Sequence, residues 1–193
     1  MRDFALSALH EPPFPSRRHP AVDVAAAESA AWVRDFGLVK DQAGRRRLAG
    51  AHAAELAARA CPEASPAGLR MLTDLINWLF VVDDACDDDG LGATPTLLAP
   101  TLAALLAVLD RHGDPEAPAP ADGGPIALGL HDLCRRARDR AGRPTCCAWS
   151  ASCGSTCWRC SGRPPTGNAT GCRGVAEYTQ MRRHTGGVRP ASR

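Results

Sequence analysis

Apolar positions recur at helical spacing along most of the chain, beginning at Val22. Val22, Ala25, Ala26, Ser29, Trp32, Val33 and Phe36 share one face of a helix predicted over about Val22 to Phe36, and Gly37 supplies a stop. A second helix is predicted over about Gln42 to Ala60, ending before Pro62. A third opens at Ser65-Pro66, a capping residue followed by proline at the first helical position. It carries Leu69, Leu72, Ile76, Leu79 and Phe80 toward an acidic cluster. A fourth helix covers about Thr96 to Arg111. A fifth covers about Ile126 to Ala141, with Leu130, Leu133 and Cys134 set against Arg135, Arg136, Arg138 and Arg140, a basic run read as a solvated face. Residues His112 to Gly124, rich in Pro, Gly and Ala, read as a loop too polar and broken to pack. Residues 1–20, with Pro12, Pro13, Pro15 and Pro20, read as an extended N-terminal arm. There is no internal repeat and no β-hairpin signal, so the fold class is all-α.

The periodicity stops between Thr145 and Cys172. That stretch has no Leu, Ile, Val, Met or Phe, no acid and no lysine, and beyond Trp149 and Trp158 it offers no apolar stripe for a helix to bury. Helical sequence resumes at Gly174 with Val175-Ala176-Glu177-Tyr178-Thr179-Gln180-Met181-Arg182-Arg183.

Composition supports the helical reading and removes several functions. Aromatic residues make up 5% of the 193 residues, low for an all-β domain, while alanine, leucine and arginine dominate. A formal net charge of +2 gives no strong pull toward nucleic acid. No apolar run approaches the roughly 20 residues a membrane span needs. Met1 to His19 carries prolines and mixed charge where a signal peptide needs an apolar stretch, so a cytoplasmic protein is expected.

The acidic cluster is Leu79-Phe80-Val81-Val82-Asp83-Asp84-Ala85-Cys86-Asp87-Asp88-Asp89-Gly90. At about 100° per residue, Asp83 and Asp87 lie within roughly 40° of the centre of the Leu69/Leu72/Ile76/Phe80 stripe. The face expected to enter the core therefore ends in two carboxylates one turn apart. Asp84 sits at its edge, and Asp88 and Asp89 turn outward. Buried unpaired carboxylates are costly, and acids near a helix C-terminus oppose the macrodipole. Cations at this point remove both penalties, and an oxygen-only donor set suits Mg²⁺. An EF-hand is excluded: placing its glycine at Gly90 puts Ala85 and Thr96 at ligand positions that require carboxylates. The alternative is an acidic helix end bathed in solvent.

This pattern resembles the bacterial class I terpene synthases, all-α cyclases that ionise a prenyl diphosphate. Their Asp-Asp-x-x-Asp/Glu motif matches Asp83-Asp84-Ala85-Cys86-Asp87, and a variant one place longer would use Asp88. His19-Pro20, Trp32, Phe36-Gly37-Leu38, Leu56-Ala57-Ala58-Arg59 and Leu69-Arg70 agree as well. Downstream, Glu177 to Gly187 looks like the family's diphosphate-sensing segment. By that match Arg182 is the sensor, Thr185 the linker and Gly186 the effector at a helix break. The resemblance implies Mg²⁺ held by Asp83, Asp84, Asp87 and Asp88. It also implies a substrate site with Arg182, Asp84 and Phe80, and a prenyl diphosphate, farnesyl diphosphate by default, as substrate. Asp84 would pair with Arg182 on closure, and Phe80 and Trp78 could offer π-faces to cationic centres. No nucleic acid and no membrane partner is expected, and a homodimer is left open.

Two departures from the family stand out. The segment 145–172 lacks the family's helix, as a pair of compensating frameshifts would produce, and the family's second metal motif does not occur before Arg193. Residues 21–193 thus read as a partial terpene synthase α-domain, an incomplete bundle with little turnover expected. A reading from another class gives four thiolates, from Cys153, Cys157, Cys160 and Cys172, to Zn²⁺ as a small C-terminal binding module, with Cys146 and Cys147 left over.

Overall fold

The structure, a computed structural model, describes residues 15–86 and 95–141. The regular structure of these residues is helical throughout, with no strand among them. The helices are α1 (Val22–Asp35), α2 (Gln42–Gly50), α3 (Ala53–Ala60), α4 (Pro66–Cys86), α5 (Pro95–Asp110) and α6 (124–141). The expectations for 145–172, for Glu177 to Gly187 and for the Cys cluster fall outside the described residues.

Helix α4 is the centre of the arrangement, packing against α1, α2 and α3. The larger core joins Trp32, Val33 and Leu38 to Trp78, Val81 and Val82 of α4. It continues through Leu98, Leu102, Leu105, Val108 and Leu109 of α5 into Ala127, Leu130, Leu133 and Cys134 of α6. Each fully buried leucine here contributes about 1.5–3 kcal/mol. A smaller cluster of Val22, Ala25, Ala54, Ala57, Ala58 and Leu69 lets α3 approach α1 and α4 closely, because alanine keeps the backbones near each other. The arm ends at His19, which is buried and fastened at both ring nitrogens. Its Nδ1 accepts from the Ala21 amide at 3.0 Å, so Nε2 carries the proton and donates to the Ala64 carbonyl at 2.9 Å.

Two expectations need correction. The single helix over Gln42 to Ala60 is two helices, broken where His52 adopts φ 52°, a left-handed conformation. The break re-aims the chain so that Ala53, Ala54, Ala57 and Ala58 all bury, while α2 contributes only Gly44. The loop from His112 to Gly124 also packs at both ends. Gly113 has φ +68°, and a Cβ there would lie 2.2 Å from the Cys134 carbonyl oxygen. Gly123 has φ +82°, and its Cβ would lie 2.7 Å from the Ala104 Cβ. Glycine is required at both points because the backbone itself is the packing surface.

Candidate functional site

Helix α4 starts as its sequence dictates. The Ser65 hydroxyl accepts from the Gly68 amide at 3.1 Å, and Pro66 fills the first turn, where its missing N–H costs nothing. From Gly68 to Asp83 no residue is fully exposed. The face that enters the core is Leu69, Thr73, Asp74, Asn77, Trp78, Val81 and Val82. This corrects the sequence expectation, since of the stripe Leu69/Leu72/Ile76/Phe80 only Leu69 is buried. Leu72, Ile76, Leu79 and Phe80 are half-buried and form an apolar wall along the flank of α4, in which Leu72 and Ile76 pack against the smaller core cluster and Leu79 against the larger one.

Asp83 stands at the end of that wall, also half-buried. It follows Phe80 by three residues, so both side chains leave neighbouring points of one helix face. Asp84 is exposed, with Arg47 Nε 4.0 Å from its Oδ2. That contact between two exposed groups contributes little. Trp78, a sequence candidate for a π-face, is fully buried and its indole N–H donates to the Ile126 carbonyl at 2.9 Å. It is a core residue, and Phe80 alone of the pair lies on the apolar wall. Asp87, Asp88, Arg182, Thr185 and Gly186 lie outside the described residues.

Sequence reasoning missed a polar network on the core face. Asp74 is fully buried, and Arg70 Nε lies 2.9 Å from both its carboxylate oxygens. Arg136 Nη1 donates to Asp74 Oδ2 at 2.8 Å, and Arg136 Nε lies 2.8 Å from Asp132 Oδ2. Asp132 also accepts from the Trp32 indole at 2.9 Å, and Arg70 Nη1 reaches Glu28 at 2.9 Å. The Arg136 guanidinium lies 5.6 Å from the Trp32 ring centroid. Burial pulls the Arg70 guanidinium down, but its hydrogen bonds to Asp74 and Glu28 outweigh this and hold it above its ordinary range. The expected solvated basic face of α6 is therefore corrected at Arg136, which turns inward to a buried acid. The signal available in the sequence was Asp74 itself, an acid about 140° from Leu69 and beside Trp78 on a helix otherwise rich in apolar residues.

Among the clefts of the described residues are two bordered by α4. One of about 380 Å³ lies between α1, α2 and α3, with Thr73 and Asn77 at its α4 side. One of about 470 Å³ is bordered by Glu28, Arg70, Arg136 and Arg140. Neither includes Asp83 or Asp84.

Asp83 and Asp84 supply only carboxylate oxygen, the donor type that suits a hard divalent cation such as Mg²⁺. No group of three or more His, Cys, Asp or Glu residues able to hold a metal occurs among the described residues. Asp83 and Asp84 are the described members of the donor set expected from the sequence, which also names Asp87 and Asp88.

Comparison with known proteins bears on this arrangement. Residues 74–192 match the family model described as terpene synthase family 2, C-terminal metal binding. That span contains Asp83 to Asp88 and Arg182 to Gly186. Pentalenene synthase of Streptomyces exfoliatus is 36% identical over 186 residues, covering 92% of this chain and 51% of that protein. Among solved structures, the SVS_A2 protein from ancestral sequence reconstruction superposes with a TM-score of 0.75 at 23% identity, covering 91% of this chain and 53% of the other. The linalool/nerolidol synthase of Streptomyces clavuligerus, solved with 2-fluorogeranyl diphosphate, gives a TM-score of 0.71 at 22% identity, covering 89% and 56%. The chain spans about half the length of the curated relatives it matches. The structural likeness establishes the all-α class I fold, and the family-model match together with the pentalenene synthase identity shows that the chain belongs to the bacterial class I terpene synthase family.

Proposed function

We propose that this chain binds a prenyl diphosphate, farnesyl diphosphate by default, with Mg²⁺, and takes part in its ionisation and cyclisation to a terpene. The observation that carries the reading is the half-buried apolar wall of α4 ending in Asp83, within a span that matches the family's metal-binding model. Asp83, with Asp84, Asp87 and Asp88, would hold the Mg²⁺. When bound, Mg²⁺ neutralises the diphosphate as it leaves with the electron pair of the broken C–O bond.

The chain's own residues do the rest. Arg182 offers a planar fork to diphosphate oxygens, which favours two parallel hydrogen bonds. Thr185 and Gly186 link that arginine to the reacting end of the substrate. Phe80, three residues before Asp83 on the same wall, lines one side of the prenyl chain and keeps water from the allylic cation. The Phe80 ring presents its π-face to that cation. None of the described helices is long and apolar enough to cross a membrane, which is compatible with a cytoplasmic enzyme acting on a soluble diphosphate.

The test is the binding of an unreactive thio-analogue of farnesyl diphosphate, followed by tryptophan fluorescence. The reading expects binding that requires Mg²⁺ and is displaced by inorganic pyrophosphate. Binding without Mg²⁺, or none at all, would overturn it.

A further inference from the structure

The buried network on α4 lies opposite Asp83, and its geometry bears on that residue. Asp74 and Asp83 are nine residues apart, which places them about 180° apart around the helix and about 13.5 Å along it. Asp74 is tied through Arg70 to Glu28 of α1, and through Arg136 to α6. In the next turn the Asn77 amide donates to the Ser29 hydroxyl at 2.8 Å. The α4 core face is thus fastened to helices on two sides by directional bonds.

We infer that Asp74 is a positioning residue: its buried carboxylate, shared between Arg70 and Arg136, sets the rotation of α4 about its axis and thereby the direction in which Asp83 leaves the helix. The inference rests on the function proposed above for Asp83. Apolar packing alone does not fix rotation well, because hydrophobic burial is non-directional. A turn of about 20° leaves Trp78, Val81 and Val82 in the core but carries a side-chain tip about 2 Å around the helix. Hydrogen bonds near 2.9 Å do not survive that displacement. A cation site held by carboxylates needs its donors placed within about 0.5 Å, so the same rotation disables Asp83. A buried ion pair is a poor route to stability, since apolar residues of similar volume often do as well or better. Direction is what this network supplies that leucines cannot.

The test follows from that difference. The triple variant Asp74→Leu/Arg70→Leu/Arg136→Leu removes the network; Glu28 and Asp132 each lose an arginine but keep solvent contact, and Asp132 keeps the Trp32 indole, so the variant is expected to keep its helix content. Two readouts are taken on the full chain. The first is the affinity for inorganic pyrophosphate with Mg²⁺, expected to fall at least about tenfold in the folded variant. The second is the Trp78 indole N–H resonance, assigned with Trp78→Phe, which reports the bond to Ile126 and needs no ligand. It is expected to move in the variant. An unmoved indole resonance with full helix content overturns the inference, as does wild-type pyrophosphate affinity. If the wild-type chain fails to bind pyrophosphate with Mg²⁺, the proposed function falls, and the indole resonance still decides whether Asp74 sets the rotation.

Discussion

Asp74 is the one acid among the described residues with no exposure at all, and two guanidinium groups offset its desolvation. Substitution to Asn keeps the shape but leaves Arg70 and Arg136 facing each other without the charge between them. Removing one partner of a buried pair costs about 3–5 kcal/mol. Both arginines keep some solvent contact, so a loss of about 2–3 kcal/mol is expected, measured as a lower urea midpoint with unchanged slope. His131 gives a second residue-scale prediction. Burial, then the charges of Arg135 and Arg111, holds its imidazole below the ordinary 6.5, with Asp132 opposing. The unfolded chain therefore binds a proton that the folded chain refuses. The stability this histidine contributes is full above about pH 6.5 and falls as the pH drops through and below it. His131→Gln cannot titrate and should flatten the stability profile just below pH 6.5. A slope identical to wild type would show that His131 is not responsible.

At the scale of elements, the helices were legible in the sequence and the assignment of their faces was less so. Helices α1 and α5 begin and end, and α4 begins, within a residue or two of the expected bounds, with Ser65-Pro66 marking the start of α4 and Gly37 the end of α1 by known chemistry. The core face of α4 was not legible, because Gly68 to Asp83 carries apolar residues all around. Its buried polar residues, Asp74 and Asn77, also point inward. Period alone cannot choose between two apolar sides, and the partners of Asp74 lie on distant segments. The α2–α3 break was hidden for a related reason: His52 in a left-handed turn is a tertiary demand of the alanine face that follows it. His52→Gly should therefore be tolerated or slightly stabilising, by up to about 0.5–1 kcal/mol, whereas His52→Val should cost about 1–2 kcal/mol. The glycines give a sharper contrast. Gly113→Ala meets both a positive φ and the Cys134 carbonyl, while Gly124→Ala at φ +58° meets nothing within 4 Å. Thermal midpoints should drop more for Gly113→Ala, with a cost of about 2 kcal/mol or more against about 1 for Gly124→Ala.

For the whole molecule, the core face of one helix and its flank are assigned different duties by this reading. The core face of α4 is locked into a core shared with α1, α5 and α6 by apolar packing and the Asp74 network. The flank is an apolar wall ending in Asp83, the residue the sequence had singled out for metal chemistry. The family resemblance was legible from Asp83-Asp84-Ala85-Cys86-Asp87 and Arg182 to Gly187, and the family-model match spans both. The most direct measurement is a calorimetric titration of an unreactive farnesyl diphosphate analogue into the wild-type chain and Asp83→Asn, each with and without Mg²⁺. The account predicts Mg²⁺-dependent binding by the wild type, weakened at least about tenfold in Asp83→Asn, with thermal midpoints within about 2 °C of each other. Equal affinity in the two proteins, or binding indifferent to Mg²⁺, would contradict the role assigned to Asp83.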